Sequence, residues 1–337
     1  MGRIEIDCAH LSGREEAFDH LEPLFSGMAG HGRNLDALYD ALTSLKEAEI
    51  HLRGAEKAGT YAASVVRVLR DAANQNPGIK LIEEDAPMDG IKIGVGIYIV
   101  REDAKTDLDG TLRRLREIGY DGTELLGFFG ASPEALHGML EALHLEALGD
   151  HMPLADFSKD PQRALEDHLA IGCRRITLSC PNERIVNEPF EALAEEYAQA
   201  ARSCLAAGVT PMYHNGDSDM RGDEPFARRI LDAVPELRFE PDVGWMVVAE
   251  QDPVTYLERY QSRTPVIHLK DVFLSDGGFS FRPTGYGSVN TPALMPAILA
   301  CTPEWLMVDH DLAYERDSYQ DLALSYHFVK TLLSITP

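Results

Sequence analysis

Cysteine is scarce in this chain. Five residues, Cys8, Cys173, Cys180, Cys204 and Cys301, are scattered over 337 positions without a CxxC pair. So odd and sparse a set argues against a disulfide framework and reads as the reduced thiols of a cytoplasmic protein. Long apolar runs are missing too. The most apolar window, Ile91 to Val100, falls far short of the roughly 20 residues that span a bilayer. The opening Met1-Gly2-Arg3-Ile4-Glu5 has no apolar stretch of the kind a signal peptide needs. Positive charge is in short supply, with 31 Lys and Arg against 55 Asp and Glu, for a net charge of −24. The imbalance runs through both halves: residues 1–90 hold 16 acids and 9 bases, the remainder 39 and 22. Neither half offers the clustered bases that bind a phosphate backbone, which excludes nucleic acid as a partner; a basic protein remains electrostatically suitable. No GxGxxG turn follows a strand-like run, so the dinucleotide-binding fingerprint is absent.

What is there suits a globular chain of two domains: 45% hydrophobic residues for a core and 26% charged residues for a surface. The clearest break is Glu83-Glu84-Asp85-Ala86-Pro87-Met88-Asp89-Gly90, an acidic stretch with Pro and a final Gly between two apolar runs. The expected division is therefore a first domain over 1–86, a linker over 87–90 and a second domain over 91–337.

The second domain alternates. Strand-like runs fall at Ile91–Val100, Thr123–Phe128, Glu146–Met152, Arg174–Cys180, Thr210–Asn215, Arg238–Val243, Pro265–Lys270 and Trp305–Asp309. Helical patterns separate them, the cleanest being Phe190, Leu193, Tyr197, Ala201, Cys204 and Leu205 at spacings of three and four. Several helices open with proline (Pro133, Pro161, Pro225, Pro253), whose missing N–H costs nothing in the first turn. Eight strand–helix pairs in about 245 residues predict an α/β fold, a (β/α)8 barrel.

Barrel chemistry gathers at the C-terminal ends of the strands, and those ends are polar here. The second carries Glu124, and the third ends in Asp150-His151. The fifth runs Tyr213-His214-Asn215-Gly216-Asp217-Ser218-Asp219 and the sixth Glu240-Pro241-Asp242-Val243-Gly244-Trp245. The seventh gives His268-Leu269-Lys270-Asp271 and the eighth Asp309-His310-Asp311. Carboxylates with imidazole suit Mn, Mg, Zn or Co as one divalent ion. His268 alone would read as a hydrogen-bonded core histidine; beside Asp242 and Asp309 at one rim, ligation is the stronger reading. Asp219 reads equally as an exposed loop acid, Glu124 as a partner for a nearby base and Trp245 as packing. Lys270 on an apolar strand is costly to bury unpaired, which favours a functional role. His10, His20 and His51 read as surface residues, and Cys180 lacks a base partner.

The order His-Asn-x-Asp, Asp-x-Gly-Trp, His-Leu-Lys-Asp and a final acid-x-Asp resembles the xylose-isomerase-like barrels of the sugar-phosphate isomerase/epimerase family. Segments such as Gly285-Tyr286-Gly287-Ser288-Val289-Asn290 and His151-Met152-Pro153-Leu154 extend the likeness from about residue 91 to the C-terminus. The resemblance implies a metal-dependent isomerase or epimerase of a small sugar, sugar phosphate or sugar derivative, working through an enediolate. It implies metal ligands at Asp242, His268, Asp309 and Asp219, with His214 the alternative to Asp219. Asp219 and Asp309 stand where that family usually has Glu. Asp219 and Asp309 would form the proton-transfer pair, with Lys270 assisting. Glu124, His151, His214, Trp245 and Lys270 would contact the carbohydrate substrate. The other reading left open is a catalytically lapsed barrel that acts as a binding protein.

In the first domain a strand-like Arg3–Ile6 precedes a helix near Glu15–Leu24. Gly30-His31-Gly32-Arg33-Asn34-Leu35-Asp36-Ala37-Leu38-Tyr39-Asp40 then opens a second helix with Asn34 as N-cap. Asp36 and Asp40 make an acidic stripe opposite the buried Leu38 and Leu42. A strand at Ala48–Leu52, a helix at Tyr61–Ala73 and a strand at Ile79–Ile82 complete a small α/β unit. Gly-x-Asn-Leu-Asp-Ala-Leu-aromatic-Asp resembles the signature of barstar, the intracellular ribonuclease inhibitor, over about residues 3–84. That resemblance implies a partner-binding face of Asp36, Tyr39, Asp40 and Asp71, suited to a basic protein such as a ribonuclease.

Overall fold

The computed structural model describes residues 2–8, 11, 13–25, 33–53, 60–84, 90–313 and 317–335. Residues 30–32 of the acidic-helix motif, 85–89 of the acidic break, which include 87–89 of the expected linker, and His10 lie outside them. The chain divides into two compact units, one up to Gly90 and one from Ile91 onward.

The first unit is a parallel three-stranded sheet in the order β1 (Gly2–Asp7), β2 (Ala48–Arg53), β3 (Ile79–Glu84). Parallel neighbours need crossovers, which the helices Arg14–Leu21, Leu35–Thr43 and Thr60–Gln75 supply. Their apolar stripes meet the sheet in a core of Ile6, Phe18, Leu38, Leu42, Ile50 and Leu69. Asn34 caps the second helix, its Oδ1 accepting the Ala37 N–H at 2.8 Å. Asn76 ties the turn before β3: its Nδ2 donates to the Leu45 carbonyl at 2.8 Å and its Oδ1 accepts the Gly78 N–H at 2.9 Å. His51 departs from the surface reading. It shares a face of β2 with Glu49, opposite the core residues Ile50 and Leu52, yet is only 6% exposed, with Nε2 2.7 Å from Glu49 Oε1.

The second unit is an eight-stranded parallel barrel, β4 (Lys92–Gly96), β5 (Gly122–Leu125), β6 (Glu146–Pro153), β7 (Arg175–Ser179), β8 (Thr210–His214), β9 (Arg238–Glu240), β10 (Val266–His268) and, after a hairpin, β13 (Trp305–Val308). Each strand pairs with the next, and β13 lies between β10 and β4. The ring closes between β9 and β10 through a single bridge, Asp242 with His268, where the His268 N–H donates to the Pro241 carbonyl at 2.9 Å. Two expected site residues thus form the barrel's seam. Inside, Leu148, Met212, Val266, Trp305 and Met307 pack one apolar cluster, separate from the strand–helix cores. Outside, each helix buries one stripe; Phe190–Ala206 buries Leu193, Tyr197, Ala200, Ala201 and Cys204. Each large apolar side chain so buried stabilises by about 1.5–3 kcal/mol.

The helices Pro133–Leu143 and Pro161–Ala170 open on the expected prolines. The strand-like run to Val100 instead turns into a 3-10 helix, Ile97–Val100, after β4. Among the elements that escaped sequence reading is the antiparallel hairpin β11 (Asp271–Ser275) and β12 (Gly278–Arg282) directly after Lys270. Asp271 organises the loop behind it: its carboxylate accepts the N–H groups of Val272, Gly285, Gly287 and Val289 at 2.8–3.0 Å. Among the described residues no helix is long and apolar enough to cross a membrane, and all five cysteines are free.

Candidate metal centre at the barrel mouth

Residues two apart on a strand face the same side, and three such pairs end the strands here: Glu240 and Asp242, His268 and Lys270, Asp309 and Asp311. All but Asp311, which is half-buried, are nearly or fully buried. The open mouth is lined by Gly96, Tyr98, Leu126, His214 and Trp245 together with Glu124, His151, His268, Lys270, Asp309 and Asp311.

Asp242 is held from several directions. Asn215, fully buried, accepts the Asp242 N–H on Oδ1 at 2.9 Å and donates to its carbonyl at 3.2 Å. Asp242 Oδ1 caps the short helix Val243–Val248 by accepting the Trp245 N–H at 2.9 Å. Its Oδ2 is left without a hydrogen bond, 3.5 Å from His214 Nε2, which is likewise unpartnered and buried. On the other side His268 Nδ1 stands 3.2 Å from Asp309 Oδ2. His214, Asp242, His268 and Asp309 thus present four potential ligand atoms within 4.8 Å of one another. Gly96 admits Asp309: a Cβ there would come within 3.1 Å of its Oδ1.

Lys270 is the counter-charge. Its ammonium donates to Asp309 Oδ2 at 2.7 Å and Asp311 Oδ1 at 2.6 Å, lies 3.4 Å from Asp242 Oδ2 and sits 4.8 Å from the Trp245 ring centre. Burial opposes its charge, but Asp309, Asp242 and Asp311 outweigh burial and hold it protonated, above the usual lysine range. Burial likewise opposes the charge of Asp309, and Lys270 overcomes it, holding that carboxyl well below the usual range. His214 goes the other way, pushed down to about 4 by burial and by the neighbouring His268, so it stays neutral at pH 7 and able to donate a lone pair.

A second group lies beside the first. Glu124, His151, Glu240 and His268 also converge within 4.8 Å, sharing His268. Gly149 makes room, since a Cβ there would come within 3.2 Å of Glu124 Oε1. Burial, then the Glu240 carboxylate, pushes Glu124 up to about 7. Thr177 donates to Glu240 Oε2 at 2.6 Å.

Of the residues expected from the sequence, Glu124, His151, His214, Trp245, Lys270, His268 and Asp309 reach the mouth, with Asp242 behind them. Asp219 does not. It sits on a 3-10 turn, 7% exposed rather than in an open loop, and its carboxylate accepts a hydrogen bond from the Tyr213 hydroxyl. Burial pushes it up to about 7. Asp150 also turns away from the mouth to hold His168 at 2.8 Å and the Gly127 N–H at 2.7 Å. Glu240, Asp311 and Asn215 were missed as site residues. Strand alternation was the available signal for Glu240, which shares a face with Asp242. In the first unit Asp36, Asp40 and Asp71 are exposed and Tyr39 is half-buried.

Residues 112–317 match the profile of the xylose isomerase-like TIM barrel. The chain belongs to that family. Residues 1–84 of this xylose isomerase-like protein match barstar, the barnase inhibitor. A curated relative, inosose dehydratase of Geobacillus kaustophilus, is 25% identical over 190 residues, 49% of this chain and 62% of the relative. The match therefore spans somewhat under two thirds of that protein's length. Among solved structures the family member resembles a sugar phosphate isomerase/epimerase from Parabacteroides distasonis, with a TM-score of 0.60 and 19% identity over 72% of this chain and 94% of that one. It also resembles the IOLI protein with a bound zinc atom, with a TM-score of 0.58 and 12% identity over 72% and 98% of the two chains. An L-ribulose 3-epimerase gives a TM-score of 0.58 at 14% identity over 72% and 95%. These structural likenesses establish the fold.

Proposed function

We propose that the barrel is a divalent-metal-dependent enzyme that moves a proton at the carbon beside the carbonyl of a small polyhydroxylated substrate, as an isomerase or epimerase of a sugar, sugar phosphate or sugar derivative. The observation that carries this reading is the convergence of His214, Asp242, His268 and Asp309 from four consecutive barrel strands, with Asp242 Oδ2 and His214 Nε2 buried and unpartnered. Two carboxylates and two imidazoles fit Zn, Mn or Co, and similar barrels include a zinc-bound protein, an L-ribulose 3-epimerase and an inosose dehydratase. When bound, such an ion polarises the substrate's carbonyl and hydroxyl oxygens and stabilises the negative charge that builds as the proton leaves.

The chain's own groups supply the rest. Asp309, kept ionised by Lys270, takes the proton from carbon and returns it. The Lys270 ammonium, already in the mouth, donates to the oxygen on which charge develops. Trp245, Tyr98 and Leu126 give the apolar wall against which a sugar ring or chain packs. Asp219, the second proton carrier expected from the sequence, is buried against Tyr213 and does not line the mouth. Delivery of the proton by Asp309 on the same face to the adjacent former carbonyl carbon, with the hydroxyl proton passing to the old carbonyl oxygen, is an isomerisation and is therefore favoured over epimerisation, which needs a carrier on the opposite face.

Exchange of substrate C–H for deuterium in D2O, followed by NMR over a panel of ketoses, aldoses and inososes with the ion-loaded protein, tests this reading. Asp309→Asn should lower exchange by about 100- to 10,000-fold, and Asp219→Asn by far less. A panel without exchange would refute the enzyme reading. It would leave a catalytically lapsed barrel whose barstar-like unit recruits a basic protein, a reading that the exposed Asp36, Asp40 and Asp71 support.

A further inference from the structure

The side chains of Glu124 on β5, His151 on β6, Glu240 on β9 and His268 on β10 approach one another across the barrel interior. His151 Nε2 is 3.0 Å from Glu124 Oε2 and 3.4 Å from Glu240 Oε2. His268 Nε2 is 3.5 Å from Glu124 Oε2 and 3.3 Å from Glu240 Oε1. These separations have a geometric meaning. Zinc bonds to nitrogen and oxygen of about 2.0–2.2 Å place the ligand atoms of a tetrahedral ion roughly 3.3–3.5 Å apart along each edge. Both His268 separations fall in that range and the His151–Glu124 separation is slightly shorter; the fourth runs to Glu240 Oε2, the oxygen that Thr177 occupies.

A set of ordinary ion pairs would aim each N–H at one oxygen. Here His151 Nε2, His268 Nε2, Glu240 Oε1 and Glu124 Oε1 are buried yet have no aligned hydrogen bond, although Glu124 is 4% exposed, Glu240 0% and His268 1%. Unsatisfied polar atoms at that depth are costly. His151 Nε2, His268 Nε2 and Glu240 Oε1, at contact distance but not aligned with a partner, are placed as if directed at a common point, which Glu124 reaches through Oε2. Thr177 occupies Glu240 Oε2, leaving Oε1 for that point. Two carboxylates balance a divalent charge, so the filled site would be neutral with both imidazoles unprotonated.

We propose that Glu124, His151, Glu240 and His268 form a second divalent-cation site, of tetrahedral zinc type, beside the His214–Asp242–Asp309 group. With four protein ligands it is closed, as structural zinc sites are. It would clamp four strands across the barrel interior. His268 serves it through Nε2 and keeps its Nδ1–H on Asp309, 3.2 Å away. The outer position then has three protein ligands, His214, Asp242 and Asp309, the open set that a substrate-binding ion needs.

The test uses the full chain, stripped with a chelator and titrated with Co(II) and then Zn(II). His214→Leu with Asp242→Asn disables the outer group while leaving Lys270 its bonds to Asp309 and Asp311. That variant should still take up one ion, give the intense visible absorption of tetrahedral Co(II) and melt at a higher temperature when loaded. Adding Glu124→Gln and Glu240→Gln should weaken uptake by more than about 100-fold, beyond what loss of an outer-shell partner costs. Circular dichroism checks that both variants fold. Should the quadruple variant not fold, His151→Ala alone should shift the Co(II) spectrum by removing one nitrogen. A metal-free His214→Leu/Asp242→Asn protein, undiminished binding in the quadruple variant, or a Co(II) spectrum unmoved by His151→Ala overturns the proposal.

Discussion

Replacing Lys270 by Met isolates the electrostatics of the barrel mouth. The ammonium lies 2.7 Å from Asp309, 2.6 Å from Asp311 and 3.4 Å from Asp242, and it is 1% exposed. Methionine keeps most of the stem and its packing against Trp245, so the change removes charge rather than volume. Breaking a buried pair by deleting one partner costs about 3–5 kcal/mol, because the remaining charge is stranded; in metal-free protein three carboxylates would be stranded together. For a domain of this size that corresponds to a fall in Tm of roughly 6–20 °C. The sign of the pH dependence follows from the shifts. Asp309 is held below its ordinary range, so its contribution is present above the unfolded carboxylate pKa of about 3.9 and is lost as pH falls through the folded value. Lys270 is held above its range, so its contribution is complete below about pH 10.4 and is lost only as pH rises through the folded value. The difference between wild type and variant should therefore be present through neutral pH and narrow as pH falls and the stranded carboxylates take up protons. Saturating zinc should narrow it at pH 7, since the ion replaces the lost cation. Urea unfolding in chelator, followed by tryptophan fluorescence, reads the barrel unit alone, because Trp245 and Trp305 are the chain's two tryptophans. A loss under about 1 kcal/mol, the range of exposed pairs, or a gap that persists at low pH would refute the argument.

Asn215→Ala removes both bonds that fix the Asp242 backbone, 2.9 and 3.2 Å long. It should cost about 1–3 kcal/mol in the same unfolding assay and weaken metal binding measured by calorimetry, whereas a loss confined to stability would show that Asp242 needs no such support. Residues 1–86 produced alone should give a cooperative thermal melt and bind a basic ribonuclease in a calorimeter, more weakly at high salt. Asp36→Ala, Asp40→Ala and Asp71→Ala should each reduce that affinity, and affinity indifferent to all three would remove the partner-binding face.

The barrel was legible because its two periods are local. Alternating β and α runs follow from which residues in succession are apolar, and the prolines at 133, 161 and 253 open helices for reasons internal to one turn. The motifs around Asp242, His268 and Asp309 were legible for the same reason, each being a few consecutive residues at one strand end. Asn34 could be read as a cap before any contact was known. The hairpin after Lys270 was not. Asp271–Ser275 and Gly278–Arg282 offer only five residues each, and what holds the loop behind them is one carboxylate gathering N–H groups from residues up to 18 positions away. Sequence order also left Asp219 and His214 as rivals for one role. The close of β8 decided what each touches, turning His214 toward Asp242 and Asp219 toward Tyr213. Glu240 shows the limit most plainly. Its residue type and its place two before Asp242 are written in the sequence. That it meets Glu124 from β5 and His151 from β6 depends on the ring closing through Asp242 and His268. Closure brings strands more than a hundred residues apart within bonding distance, and no local pattern encodes that.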